Sequence, residues 1–205
     1  MKKLILKKLL RAHENARATP YYDLPGYMER DWLLGYRSPE RNQDNPVWKH
    51  SQPKSSALYR WLCRHIAIRA HTILRSDNDR HLHDHPSWSL SVVLEGGYWE
   101  VCEPTQFALR RKGGYEFLLD LCATRAPSDW DKDELATCRE FGVFWRGPGA
   151  IVLRRATDFH RLILPRGTVA KSIWVQGKKS NSWGFLTPDG KVYWRTYLGL
   201  DKGQA

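Results

Sequence analysis

Hydrophobic and polar positions alternate most clearly from residue 66 onward. In 66–75, apolar and polar residues alternate with the two-residue period of a half-buried strand, and one of its two faces is polar. Similar patterns predict further strands at 88–94, 98–102, 107–111, 116–121, 141–146, 151–155, 161–164, 169–175, 183–186 and 191–197. Turn signals such as Gly96-Gly97, Gly113-Gly114 and Pro188-Asp189-Gly190 separate several of these strands.

These short strands predict an all-β protein, because no helices alternate with them. We expect residues 65–205 to form a single antiparallel sandwich or barrel of the jelly-roll type. The stretch 123–135 is rich in Asp, Arg and Pro and interrupts the strand pattern, which predicts a loop insertion there, with or without a short helix.

Residues 1–64 have a different pattern. Within 1–18, six Lys and Arg against one Glu give a net charge of +5, and Leu6, Leu9 and Leu10 have helical spacing. This basic helix is either a docking surface for nucleic acid or an acidic partner, or a solvated helix that covers one end of the barrel. The Pro-rich segment 19–60 has no lasting period and predicts an irregular, wrapping arm.

The chain has 205 residues, 41% of them apolar, which is enough for one domain with its own core. Its net charge of +11 favours a small anionic ligand and is compatible with nucleic-acid binding through a basic surface, although no nucleic-acid motif is evident. The chain has no apolar run of about 18 residues, and Lys7 and Lys8 break its first Leu/Ile cluster. We therefore expect a cytoplasmic protein without membrane contact, whose four dispersed cysteines are reduced.

The segment 77–86 concentrates histidines and carboxylates immediately before a predicted strand. Because alternate residues of a strand share a face, His83 and His85 can present two imidazoles to one metal ion. His160, near a distant strand, is the candidate third ligand. Asp77, Asp79 or Glu100 would supply a fourth ligand or orient a ligand imidazole, and Asp79 is assigned to the orienting role.

The order of these histidines resembles the motifs of the cupin superfamily. His83 and His85 match the H-x-H of the first motif, whose closing glycine corresponds to Gly96, and Gly149 and His160 have the spacing of the second motif. Ser89 occupies the position of the usual metal-binding Glu. Four further motif positions also differ: Asp77 replaces a Gly, and Arg155, Thr157 and Leu164 replace Pro, Gly and Asn. The phrases around His83, His160 and Trp183-Gly184-Phe185 are similar to small cupin-like proteins of bacteriophages and bacteria.

The resemblance implies a cupin-type double-stranded β-helix (jelly roll), often paired as a homodimer. It also implies a divalent transition metal held by three histidines. Fe(II) is preferred, and Ni(II), Mn(II) and Zn(II) remain open because imidazole suits them all. Two functions follow: a metal-dependent enzyme acting on a small anionic substrate, with oxygenation preferred over isomerisation or hydrolysis, or a non-catalytic module that binds a sugar, nucleotide, nucleic acid or protein.

Five other residues are candidates for the reaction if their strand faces look into the barrel. Arg69 and His71 share one face of their strand, and Tyr98 and Glu100 share one face of another. We assign catalytic roles to His71, Tyr98 and Glu100, and substrate binding to Arg69 and Ser89. The alternative is that these side chains point outward into solvent.

Overall fold

The computed structural model describes residues 2–16, 26–34, 56–77 and 81–199. Its strands are β1 (Met28–Leu34), β2 (Ala67–Ile73), β3 (Leu82–His83), β4 (Ser89–Glu95), β5 (Tyr98–Cys102), β6 (Val143–Arg146), β7 (Ile151–Arg154), β8 (His160–Ile163), β9 (Ala170–Gln176), β10 (Gly184–Thr187) and β11 (Gly190–Tyr193). Its helices are α1 (Lys2–Ala16), α2 (Ala57–His65), α3 (Gln106–Arg110), α4 (Lys112–Thr124), α5 (Lys132–Glu140) and α6 (Trp194–Tyr197).

The strands form two antiparallel sheets. Sheet 1 has the order β1-β2-β9-β4-β7, and sheet 2 has the order β11-β10-β3-β8-β5-β6. Strands that follow one another in sequence repeatedly cross from one sheet to the other, as in a jelly roll. The predicted all-β jelly roll with a short N-terminal helix is therefore confirmed.

The inner faces of the two sheets enclose an apolar core at one end of the sandwich. Ile73, Val93 and Ala170 from sheet 1 pack there against Tyr98 and Leu162 from sheet 2. At the other end the inward positions are polar, because His83, His160, Glu100 and Arg154 replace apolar residues. The alternation of each strand thus places a polar chamber and an apolar core in the same interior.

Helix α1 covers the outer face of sheet 1. Leu6, Leu9 and Leu10 pack with Ala70 and Ile173 of the sheet, while the lysines of the helix are exposed. This arrangement corresponds to the covering-helix interpretation, on a sheet face and not at the barrel end. Docking on nucleic acid or an acidic partner stays a prediction.

The outer face of sheet 2 is covered by helices, and here two predicted strands are wrong. Segments 107–111 and 116–121 fall in α3 and α4, and Gly113 and Gly114 lie in the first turn of α4, not in a β-turn. The buried residues Leu118 and Cys122 are four apart, which is the helical repeat, and they pack on Trp99. Short apolar runs fit the two-residue period of a strand and the 3.6-residue period of a helix equally well. Whether such a run becomes a strand or a helix therefore depends on its packing against sheet 2.

The predicted insertion 123–135 includes the end of α4, a 3₁₀ turn (Pro127–Asp129) and the start of α5. Helix α5 begins with a capping box, in which Asp131 accepts from the Glu134 N–H at 2.8 Å and Glu134 accepts from the Asp131 N–H at 2.9 Å. The predicted strand 191–197 is also partly wrong, because it divides into β11 and α6.

Two segments of the predicted irregular arm are regular. β1 pairs with β2 along the edge of sheet 1, and α2 leads into β2. Residues 19–25 and 35–55 of the predicted arm lie outside the described residues, as do 17 and 18 of the predicted basic helix, and the division of the chain at 64/65 stays a prediction. Across the described part of the chain, no helix is long and apolar enough to cross a bilayer.

Candidate metal centre

Three histidines converge at the polar end of the sandwich. His83 in β3 is the direct antiparallel partner of His160 in β8. His85 follows two residues later, and its N–H donates to the Ala156 carbonyl at 3.1 Å, which ties the segment to the loop before His160. The H-x-H spacing therefore acts through strand register to bring both imidazoles to His160.

The three imidazoles are close enough to share one ion. One nitrogen from each of His83, His85 and His160 lies within 4.8 Å of the others. The Nε2 atoms of His85 and His160 are 2.7 Å apart, and the ring centroids of His83 and His160 are 5.0 Å apart. Within the described ranges, this is the group of His, Cys, Asp and Glu donors that fits a metal.

Burial keeps two of these imidazoles neutral. Desolvation, with the nearby His160 and His83, holds the pKa of His85 well below its usual range. Desolvation and the charge of Arg154 lower the pKa of His160 to about 4, although the close approach of Glu100 acts in the opposite direction. Neutral imidazole is the form that binds metals, so the donors fit a divalent transition ion.

Glu100 lies behind His160, on the neighbouring strand β5. Its Oε1 atom is 3.2 Å from the Nδ1 atom of His160, without the alignment of a well-formed hydrogen bond. This contact leaves the Nε2 atom of His160 directed at His85. Glu100 therefore occupies the position from which a carboxylate orients a ligand histidine.

Two arginines hold the Glu100 carboxylate in the interior. The Nε atom of Arg146 donates to Oε2 at 2.7 Å, and Arg154 donates to Oε1. Burial raises the pKa of the Glu100 carboxyl, but the close approach of His160 and the charges of Arg154 and Arg146 outweigh burial and hold that pKa below its usual range. Glu100 is only 2% exposed and remains ionised.

The other histidine and carboxylates of the motif lie around the cluster. A carboxylate oxygen of Asp77 is 3.8 Å from the Nδ1 atom of His83. Asp77 also accepts hydrogen bonds from the Leu162 N–H at 2.7 Å and from the Tyr27 hydroxyl, so it ties the segment after β2 to β8. His81 is bound to the Tyr197 hydroxyl at 2.9 Å, outside the cluster. Asp79 lies outside the described residues.

The remaining predicted site residues lie on the inner faces of the sheets. His71 stacks on Trp174, with ring centroids 5.3 Å apart, and Trp174 lies 6.1 Å from the His85 ring. The Arg69 guanidinium lies 4.9 Å from the Trp32 ring centroid and 5.1 Å from that of Trp174. The outward alternative therefore does not hold for Arg69 and His71.

Tyr98 and Ser89 are also inward. Tyr98 is 2% exposed and contacts Arg154, and burial raises the pKa of its phenol. Ser89 is fully buried, directly opposite Arg154 in the register of β4 and β7. The structure thus brings the predicted residues to the interior that holds the three histidines, and their roles stay predictions.

A cleft of about 300 Å³ leads to the cluster between the edge strands β6 and β7. Its lining includes the buried residues His160 and Glu100, together with Arg146, Leu153 and Phe159. Its size corresponds to a small ligand.

Sequence reasoning missed Arg146 and Arg154 as parts of the site. Arg154 lies two residues after the apolar Val152 in β7, so both side chains lie on the same, buried face of the strand. This spacing is the signal that the charge of Arg154 points inward. Its partner Glu100 is 54 residues away along the chain, so no local pattern identifies the pair.

Comparisons with known proteins show likeness in fold. No family model matches the chain, and no curated protein matches it. Solved structures similar to it include the polyketide cyclase RemF from Streptomyces resistomycificus, with 11% identity over 88% of this chain and 86% of that chain and a TM-score of 0.43. A cupin-like protein from Thermotoga maritima has 10% identity, coverage of 87% and 88%, and a TM-score of 0.40.

A cupin 2 conserved barrel domain protein from Rhodopseudomonas palustris has 11% identity, coverage of 90% of this chain and 83% of that chain, and a TM-score of 0.40. Two of these three solved structures are described as cupin proteins. The likeness concerns the fold alone and transfers no activity, substrate or metal to this chain.

Proposed function

We propose that this protein is a metal-dependent enzyme in which His83, His85 and His160 hold a divalent transition metal next to a small anionic substrate. The observation that carries the proposal is the convergence of three imidazole nitrogens within 4.8 Å of one another, with one of the three histidines, His160, in the lining of a cleft. Desolvation lowers the pKa of both His85 and His160, so these donors are already in the metal-binding form at neutral pH.

The preferred ion is Fe(II), with Ni(II), Mn(II) and Zn(II) as alternatives, and the preferred reaction is oxygenation over isomerisation or hydrolysis. A bound ion of this kind supplies Lewis acidity and, if it is iron, electrons for dioxygen. Three neutral histidines leave its charge uncompensated, which supports an anionic substrate.

The surrounding residues have separable roles. Glu100, held by Arg146 and Arg154, orients His160 and keeps its Nε2 atom directed toward His85. Tyr98 keeps its proton because burial raises the pKa of its phenol, so it acts as a hydrogen-bond donor. His71 is held neutral by burial and by Arg69, and can exchange a proton with a bound substrate.

Metal analysis tests the proposal directly. Wild-type protein is stripped with a chelator, dialysed against Fe(II), Ni(II), Mn(II) or Zn(II), and analysed for bound metal. We expect about one ion per chain, and a loss of affinity of at least about 10-fold in His83→Ala and His160→Ala. His81→Ala is the matched control, because His81 lies outside the cluster.

Absence of stoichiometric metal, or unchanged binding in both ligand variants, would contradict the proposal and favour the alternative of a non-catalytic binding module. The oxygenase version is tested by oxygen uptake of the Fe(II)-loaded protein with a panel of small carboxylates and phosphate esters. Equal turnover under argon would eliminate oxygenation while leaving the metal site intact.

A further inference from the structure

The buried polar atoms near the histidine cluster that have no hydrogen-bond partner in the described residues include one on β2 and one on β4. They are the Nε2 atom of His71 and the Oγ atom of Ser89. His71 is 8% exposed and Ser89 is fully buried. A buried polar atom without a partner costs free energy, so such atoms in one place indicate a ligand that satisfies them.

A third such atom lies beside them. The Oε1 atom of Gln176 is also buried without a partner, and Gln176 is the direct cross-strand neighbour of Ser89. His71 is two residues along β2 from Arg69, which pairs with Trp174 of β9. Because alternate residues share a face, these side chains all lie on the inner face of sheet 1. We call His71, Ser89, Gln176 and Arg69 the polar wall.

Two other partnerless polar atoms belong to a different layer. The indole nitrogens of Trp99 and Trp130 are buried among the helices outside sheet 2, where apolar residues surround them. The Nη2 atom of Arg154 and the Nδ1 atom of His160 both face the Glu100 carboxylate. The polar wall combines such atoms with a cation, Arg69, and lies near the histidines. Trp174 connects the two, since it contacts His71 on one side and His85 on the other.

Two arginines lie at this wall. Arg69 lies on it, and Arg30 on β1 is the direct partner of His71. Both arginines lower the pKa of His71, which shows that their charges act at this point of the interior. The acidic residues of β1, Glu29 and Asp31, alternate with Arg30 and therefore lie on the opposite face.

We infer that the polar wall binds the substrate, and that the substrate is a small oxyanion that carries hydroxyl groups. The guanidinium of Arg69 lies over the rings of two indoles, Trp32 and Trp174, and a guanidinium recognises a carboxylate or phosphate in its own plane. His71, Ser89 and Gln176 are neutral groups that match hydroxyls, which both donate and accept. This inference rests on the proposed function, because it names the substrate class of the same site.

The test uses metal-free protein, so that binding to the wall is measured independently of the metal. Isothermal titration compares four probes that differ in one feature each: D-gluconate, sorbitol 6-phosphate, sorbitol without charge, and hexanoate without hydroxyls. We expect gluconate or sorbitol 6-phosphate to bind at least about 10-fold more tightly than sorbitol and hexanoate, which corresponds to one or two hydrogen bonds. The better of the two identifies the oxyanion.

Variants assign the preference to the wall. Gln176→Leu and Ser89→Ala should each weaken binding of the preferred probe by about 3- to 10-fold and leave hexanoate unaffected. Arg69→Gln should weaken every charged probe and leave sorbitol unaffected. Gln106→Leu, the same change at an exposed position of α3, is the control.

Equal affinity for gluconate, sorbitol 6-phosphate and hexanoate, or no binding of any probe, would overturn the inference. This comparison uses wild-type protein and so does not depend on the folding of a variant. If the protein binds metal but shows no selectivity among the probes, only the inference about the polar wall is contradicted. Probe selectivity without metal binding would contradict the metal-dependent enzyme and leave the wall in place.

Discussion

Glu100 combines a negative charge with burial between two arginines and a histidine. It is an ionised carboxylate, almost fully buried, with Arg154 and Arg146 on its two oxygens and His160 beside it. Taking such charges out of water is costly, and the cost is offset only while the partners remain together. The group therefore resembles a fixed support for His160 more than a freely reacting acid.

Replacing Glu100 with Gln should destabilise the protein strongly. The change leaves Arg154, which is 5% exposed, without its counter-charge in the interior. Removing one partner of a buried pair costs about 3–5 kcal/mol, so we expect that decrease in the free energy of unfolding of metal-free protein, measured by urea denaturation.

Glu95→Gln is the control for Glu100→Gln, because Glu95 pairs with Lys171 at the surface. An exposed pair contributes little, so this variant should remain close to wild type. Similar small losses in both variants would show that Arg154 finds another partner and that Glu100 is not the support of the site.

His71 should make stability depend on pH. Burial and the charges of Arg69, Arg30 and His13 hold its pKa well below 6.5 in the folded state, so the unfolded chain binds the proton first. The resulting stability is complete above about pH 6.5 and is lost as the pH falls toward the folded pKa, by up to about 1.4 kcal/mol per pH unit.

The measurement is the free energy of unfolding of metal-free protein from pH 7.5 to 5, for wild type and His71→Asn. Asn does not titrate, so the free energy of unfolding of wild type should fall relative to that of His71→Asn as the pH is lowered from 7.5 to 5. A difference that is constant over this range would mean that the pKa of His71 is the same in the folded and unfolded states, which would contradict this prediction.

At the scale of elements, the helices outside sheet 2 explain where sequence patterns failed. α3 and α4 present Ala108, Leu118 and Cys122 to Trp99, so they are recognisable as helices only with the sheet in place. α5, in contrast, has a local signal, since Asp131 and Glu134 form a reciprocal cap at its start. Its side chain Cys138 completes the same layer.

The cap of α5 gives a prediction at this scale. Asp131→Ala removes the acceptor for the N–H groups of Asp133 and Glu134, and should lower stability by about 0.5–2 kcal/mol. Asp133→Ala, in the same first turn, is the control because its side chain does not cap the helix. Thermal unfolding followed by circular dichroism compares them, and equal midpoints would show that the cap contributes nothing.

At the scale of the whole molecule, the described residues form four layers: α1, sheet 1, sheet 2 and the helices α3 to α5. α1 covers the outer face of sheet 1, and α3 to α5 cover the outer face of sheet 2, so both sheets are shielded on their outer sides. The interior between them is then free to be apolar at one end and polar at the other. The histidine cluster lies at the polar end, where the cleft between β6 and β7 reaches it.

The sequence by itself determined most of the strands and the histidine pair. The two-residue period of β2 and the H-x-H spacing of His83 and His85 are local, because neighbours in the chain fix which side chains share a face. The jelly roll followed from many short strands with Gly and Pro turns. For the helices α3 and α4, local periodicity was ambiguous and gave the wrong element.

Only the tertiary structure decided what surrounds the histidines. Glu100 meets Arg154, and Ser89 meets Gln176, because sheet register and the crossing of strands between sheets align residues that are distant in the chain. The sequence pattern around a charged or amide residue in a strand is the same whether its side chain contacts water or another buried side chain. Burial and register, which no single strand contains, therefore fix the support of His160 and the composition of the polar wall.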